Sequence, residues 1–282
     1  MILPNFLICG APKAGTTSLY EYLREHPDVR MSEPKETGFF FESYERGIAW
    51  FSKNHFANYD GEAAVGEASA GNMLHEEVPG RIAEHVPDAK LIFVLRDPVE
   101  RIYSHHNFDI NIGTAPLQKT FSERVREDSE WSEIMVELGM YHEQLLRYEE
   151  HFDASQMKII LYERFCDEQK QVLREVYEFI GVDPSFEPDT STRHNVTRYP
   201  KSRTLHRLAY ALWEPVEKRL GDAVLEKTRW LRSAVRNRLF QSGTDQEKPP
   251  MKPADRAYLR DIYREPNARL AEYLDRDLSH WT

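Results

Sequence analysis

The chain has 282 residues, 30% of them charged, and a formal net charge of -10. That balance argues against general affinity for nucleic acid or anionic membranes, so an anionic ligand has to be held by a local cluster of basic groups. With 40% hydrophobic residues there is apolar material for one large core, and the two cysteines, Cys9 and Cys166, give no sign of a disulfide framework or a zinc site. No run is long enough to span a bilayer. The first predicted strand starts almost at Met1, so no signal peptide or anchor is expected, and a reducing cytoplasm is the expected setting.

Phe6-Leu7-Ile8-Cys9 reads as a short buried parallel strand. Gly10 and Gly15 follow with the G-x-x-x-x-G spacing of a Walker A loop. In that motif the lysine comes after the second glycine, whereas here Lys13 precedes Gly15 and Thr16-Thr17-Ser18 come next. The expected result is a phosphate cradle with altered metal geometry. Thr16, Thr17 or Ser18 is expected to cap a helix running through Leu19, Tyr22 and Leu23 to a stop at His26-Pro27. Lys13 and the helix N-terminus then favour an anion. An ordinary strand–turn–helix connection is the alternative.

Further along, Ala63–Glu67 reads as a strand, Val78–Val86 as a helix, and Lys90–Leu95 as the strongest strand. Pro98 suits the first turn of a helix beginning near Val99. Trp131–Phe152 carries helical spacing, Met157–Leu161 reads as a strand, and Lys170–Ile180 as an amphipathic helix ended by Gly181. The alternation predicts an α/β fold: a P-loop-like doubly wound parallel sheet flanked by helices, with a helical C-terminal region, in one domain over 1–282. From Asp183 to Pro200 the chain reads as loop. Ser202–Phe240 reads as helical and basic, with nine Lys/Arg against four Asp/Glu between Arg203 and Arg238. Residues 203–253 are thus expected to form an insertion or lid, or a solvated face; a peripheral membrane contact is the less favoured reading. Gln241–Pro253 reads as a polar linker before two closing helices.

Arg96 ends the strongest strand, and Ser104 lies about two turns into the next helix, a spacing that lets both reach one anion. An arginine fork and a hydroxyl suit a terminal phosphate. Asp97, hemmed in by arginine and proline, is poorly placed as a magnesium ligand. The alternative is that Arg96 pairs with a neighbouring carboxylate and Ser104 bonds its own helix.

Together, Ala11-Pro-Lys-Ala-Gly-Thr-Thr-Ser18 and Leu95-Arg-Asp-Pro-Val-Glu-Arg-Ile-Tyr-Ser104 resemble the paired signatures of sulfotransferases that use 3'-phosphoadenosine 5'-phosphosulfate (PAPS). The match is closest to the heparan-sulfate N- and O-sulfotransferase branch. Glu36–Phe40, Gly47–Trp50, Gly66–Ser69, and Glu265–Asn267 with Leu278–Trp281 extend it. The resemblance implies PAPS as co-substrate and 3',5'-ADP as product, with no metal required. It places Lys13, Ala14, Gly15, Thr16, Thr17 and Ser18 around the phosphosulfate, Arg96 and Ser104 on the 3'-phosphate, and Glu36 as catalytic base. Where relatives carry a lysine after the second glutamate, this chain has Ala68, and Lys35 or a basic-region arginine is the expected substitute. Lys201 and Arg203 are the counterpart considered for a further donor loop.

The implied reaction moves a sulfuryl group to a hydroxyl or amine of a carbohydrate, lipid or secondary metabolite by in-line displacement, with charge growing on the leaving phosphate beside Lys13. Burial beside Phe39, Phe40 and Phe41 is expected to tune Glu36 upward; a mere ion pair with Lys35 or Lys13 is the alternative. Glu67 and His75 are the next candidate bases. Tyr44, Trp50, Phe108 and Phe121 are candidate acceptor-lining aromatics, or core. Two rival functions remain: a P-loop kinase or NTPase, and a non-catalytic binder of phosphorylated or sulfated ligands.

Overall fold

The computed structural model describes residues 1–112, 119–190 and 250–281. Five strands form one sheet: β1 (Phe6–Gly10), β2 (Val29–Met31), β3 (Ala64–Ala68), β4 (Lys90–Leu95) and β5 (Met157–Leu161). Their order is β2-β3-β1-β4-β5, and every neighbouring pair is parallel. β1 and β3 are buried at every residue, as strands covered on both faces are, and their side chains are apolar or small apart from Glu67 in β3.

The helices are α1 (Thr16–Arg24), α2 (Phe39–Glu42), α3 (Ile48–His55), α4 (Val78–His85), α5 (Pro98–Ile112), α6 (Phe121–Arg126), α7 (Glu130–Glu137), α8 (Tyr141–Glu149), α9 (Tyr162–Asp167), α10 (Gln169–Ile180) and α11 (Pro253–Leu274). The chain leaves β1 for β2 on one side of the sheet and leaves β4 for β5 on the other. The order therefore reverses between β1 and β4, and the crevice at their carboxyl ends is where such sheets bind ligands. The doubly wound sheet expected from the sequence is present.

Four local expectations are corrected. β2 is an additional, three-residue edge strand, too short to carry a readable period. α6 is also additional, started by a Thr120–Glu123 capping box. The long helix expected over Trp131–Phe152 is two helices, because α7 ends at Glu137 and Gly139 lies where a Cβ would sit 2.8 Å from Pro98 and 2.6 Å from the Tyr263 ring. Finally, one helix, α11, stands where two were expected. It runs through Pro266, with buried Leu259, Tyr263 and Leu270 anchoring both sides of a residue that normally breaks a helix.

The main core surrounds the sheet, and a smaller one joins α5, α6, α7 and α11 through Val99, Ile102, Val125, Leu138 and Leu259. After α11 a short turn buries Trp281, whose ring meets Tyr141 edge-on at 6.3 Å. No helix among the described residues is long and apolar enough to cross a membrane. The basic stretch 203–240, the 203–253 insertion or lid, Lys201 and Arg203 lie outside the described residues, as does the 241–249 part of the linker.

Candidate active site

β1 delivers the chain to a loop tied to its neighbouring strand, where the Ala11 N–H donates to the Val94 carbonyl at 2.7 Å. Lys13 has φ 68° and Gly15 φ 90°, both left-handed. For lysine that geometry costs about 1–2 kcal/mol, and backbone strain of this kind gathers at functional sites. Gly15 is the N-cap of α1, with no side-chain cap, so the capping expected of Thr16, Thr17 or Ser18 is corrected. The ring of Tyr162 packs where a Gly15 Cβ would be 3.1 Å away. The first turn of α1 points N–H groups toward the loop that no helical carbonyl can take.

The Lys13 amine lies 3.9 Å from the centroid of the Phe108 ring and makes no ion pair among the described residues. Burial, then the neighbouring Arg96 charge, lowers its pKa to about 8, with Asp109 opposing and Lys35 adding to the fall. An amine desolvated without a carboxylate is poised for an incoming anion.

Arg96 Nη1 donates to the Lys13 carbonyl at 3.0 Å across 83 residues of sequence, which joins the two phosphate motifs directly. Its guanidinium sits 4.6 Å from the Tyr162 ring centroid, and its own carbonyl accepts from Tyr141 Oη at 2.9 Å. It has no carboxylate partner among the described residues, contrary to the pairing alternative. Ser104 is half-buried on α5, the helix that also presents Phe108. Asp97 accepts the Val99 and Glu100 N–H groups at 2.8 and 3.4 Å, so it starts α5.

Across the crevice Glu36 is left-handed, with φ 61°. Its N–H donates to the Ala68 carbonyl at 2.8 Å, and its Oε2 accepts from the Ala70 N–H at 2.8 Å. Its Oε1 pairs with Lys35. The expected burial beside phenylalanines is corrected: the Glu36 side chain is 49% exposed, while Phe39 and Phe40 pack into the core against Phe51. Lys35 is the less exposed partner, at 13%, and its charge is felt at Lys13. Ala68 is fully buried.

Glu67 is the carboxyl group that burial does perturb. It is wholly enclosed at the end of β3, and desolvation raises its pKa to about 7 despite hydrogen bonds from Ser69, Thr37 and Asn72. Thr37 Oγ1 donates to Oε1 at 2.8 Å, Ser69 Oγ donates to the same oxygen, and Asn72 Nδ2 donates to Oε2 at 3.1 Å. His75 stacks on Phe41 with ring centroids 4.7 Å apart.

Several neighbouring side chains are engaged elsewhere. His105 is held near a pKa of about 3 by burial and by Arg101, Lys13 and Arg124, and Arg124 Nη1 lies 3.1 Å from His106 Nδ1. Phe121 is core. Tyr44 is engaged by Arg81, Glu84 and His85, and Trp50 by Arg46. Sequence reasoning missed Tyr162, which directly follows β5 at the ligand face. It also missed the part Phe108 plays under Lys13. Both had signals, a strand's carboxyl end and an i,i+4 step from Ser104.

Residues 3–218 match the family model described as "Sulfotransferase domain". The chain belongs to the sulfotransferase family. It is 34% identical to mouse heparan sulfate glucosamine 3-O-sulfotransferase 3A1 over 185 residues, 64% of this chain and 46% of that protein. It is 28% identical to mouse bifunctional heparan sulfate N-deacetylase/N-sulfotransferase 4 over 97% of this chain and 30% of that one. The chain thus spans less than half the length of these curated relatives. A crystal structure of a sulfotransferase from Alicyclobacillus acidocaldarius superposes with TM-score 0.71 and 26% identity, covering 100% of this chain and 99% of that one. Family membership implies PAPS as co-substrate. The site fits it, with an amine that has no carboxylate partner among the described residues beside a helix N-terminus at one end, and an arginine with a hydroxyl-bearing helix at the other.

Proposed function

We propose that this protein transfers the sulfuryl group of PAPS to a hydroxyl or amine of an acceptor. The observation that carries the reading is the Arg96–Lys13 hydrogen bond, which makes the two phosphate segments a single unit at the switch point of the sheet. In this reading Lys13, Ala14, Gly15, Thr16, Thr17 and Ser18 receive the 5'-phosphosulfate, and Arg96 with Ser104 the 3'-phosphate.

The acceptor oxygen or nitrogen forms the new bond to sulfur as the bond from sulfur to the 5'-phosphate oxygen breaks. The electron pair stays on that phosphate oxygen, where the Lys13 ammonium and the α1 N-terminus stabilise it. Glu36, oriented by Lys35 and the Ala70 N–H, takes the acceptor proton. Lys35 supplies the cation that Ala68 does not, since its charge already reaches Lys13. The proposal assigns no step to a metal, because these groups meet the developing charge themselves.

The acceptor class is a carbohydrate or glycoconjugate, by likeness to relatives named for heparan sulfate glucosamine, with lipids and secondary metabolites as the remaining arms of a screen. The proposed setting is the cytoplasm, where Cys9 and Cys166 stay free thiols. Titration with 3',5'-ADP in EDTA, beside ATP with magnesium, tests the donor site: tight 3',5'-ADP binding without metal is expected, and a preference for ATP–magnesium overturns it. Labelled-donor transfer to a panel of glycans, lipids and small alcohols or amines then tests catalysis. Donor-product binding with transfer to no acceptor would mark a non-catalytic binder.

A further inference from the structure

The loop that presents Lys35 and Glu36 is held on the sheet by few backbone bonds. The Ser32 and Glu36 N–H groups reach the carbonyls of Gly66 and Ala68. The next turn is fixed by side chains instead. The Gly38 N–H donates to Ser69 Oγ at 3.0 Å and the Phe39 N–H donates to Thr37 Oγ1 at 3.2 Å. Both hydroxyls converge on Oε1 of Glu67, and Asn72 holds Oε2. Asn72 is in turn held through its carbonyl by Tyr148 Oη at 2.9 Å. One enclosed carboxyl group therefore joins β3, the turn after it, α8 and the loop.

We propose that Glu67 is a positioning residue: through Thr37 and Ser69 its carboxyl group latches the loop that sets Lys35 and Glu36 at the reacting centre. The proposal deepens the functional reading above and rests on it for what the loop presents. Glu67 touches neither donor nor acceptor in this role. The charged and titratable groups facing it are Glu36 on the loop, Cys9 on β1 and Tyr148 on α8; no cation pairs with it among the described residues.

The latch has a direction with pH. Enclosure raises the pKa of Glu67 from about 4.5 to about 7. Opening the loop readmits water and returns the group toward its ordinary value, so the closed loop is the form that keeps the proton. The proton's contribution to closure is full below the open-state value of about 4.5 and is lost progressively as pH rises to the closed-state value of about 7.

Hydrogen exchange of the full chain over segment 34–41, corrected for intrinsic rates, reads this directly. Glu67→Ala is expected to raise exchange there about tenfold at pH 7 while 3',5'-ADP affinity stays within about twofold. Wild type is expected to exchange progressively faster between about pH 5 and 7 and to level off above that, whereas Glu67→Gln, neutral and of the same shape, is expected to hold its pH 5 protection throughout. Unchanged exchange in Glu67→Ala, or pH profiles of wild type and Glu67→Gln that superimpose, overturns the proposal. Should Glu67→Ala fail to fold, the Glu67→Gln comparison decides alone. A wild-type chain that binds no 3',5'-ADP would sink the functional reading instead, leaving the loop readout to judge the latch.

Discussion

At the donor end of the crevice, Lys13 and Arg96 follow two central strands and are joined by a hydrogen bond to backbone. At the acceptor end, Glu36 hangs in a loop beyond an edge strand and depends on side chains sent from β3. The first arrangement is set by the register of two neighbouring central strands, with the Arg96 side chain tying together the loops that follow them. The second rests on hydroxyls, an amide and one carboxyl group, each replaceable by mutation. A shared donor and a changeable acceptor fit that division.

The contrast breaks most sharply at Glu36. Glu36→Gln is expected to lower kcat by about 10²–10⁴-fold, as for a lost general base, with 3',5'-ADP affinity unchanged. Normal turnover would take Glu36 out of the chemistry and turn attention to His75. Lys13→Ala is expected to cost about 10²–10³ in kcat, the scale of a lost oxyanion donor, and to weaken 3',5'-ADP as well. Full turnover in that variant would break the donor assignment.

Arg96→Ala is expected to weaken 3',5'-ADP by about 1.5–3 kcal/mol, the worth of a hydrogen bond to a charged group, and 5'-ADP much less; Ser104→Ala is expected to cost about 1 kcal/mol. Calorimetry with both nucleotides separates the two ends of the donor. Equal losses for 3',5'-ADP and 5'-ADP would mean Arg96 acts only by supporting the Lys13 loop.

The smallest effect is a pH dependence. Lys13 is cationic below its pKa of about 8 and loses charge above it. Affinity for 3',5'-ADP should therefore be level between about pH 7 and 8, where the phosphates are ionised, and fall by up to about tenfold per unit above that. The fall should vanish in Lys13→Ala. A wild-type profile flat to about pH 10 would place the amine away from the nucleotide.

The donor end was legible because its signals are local. An apolar run, two glycines and one lysine occupy ten consecutive residues from Phe6 to Gly15, and Arg96 follows the most apolar strand. The acceptor end was legible in its residues and not in its environment. Phe39 and Phe40 stand beside Glu36 in sequence, yet α2 turns them into the core and leaves the carboxylate half exposed. The perturbed group is Glu67, whose partner Thr37 lies 30 residues away. Left-handed backbone at Lys13 and Glu36 leaves no compositional mark, because neither residue type advertises it. Gly139 marks a helix break only through Pro98 and Tyr263, which reach it from distant helices.

Trp281 bears on the donor end of the crevice from a distance. Its ring braces Tyr141, whose hydroxyl holds the carbonyl of Arg96, whose guanidinium holds the carbonyl of Lys13. Three contacts in series thus run from position 281 to the nucleotide cradle. A substitution at Trp281 would therefore act on the far end of that relay, at a distance from the nucleotide it affects.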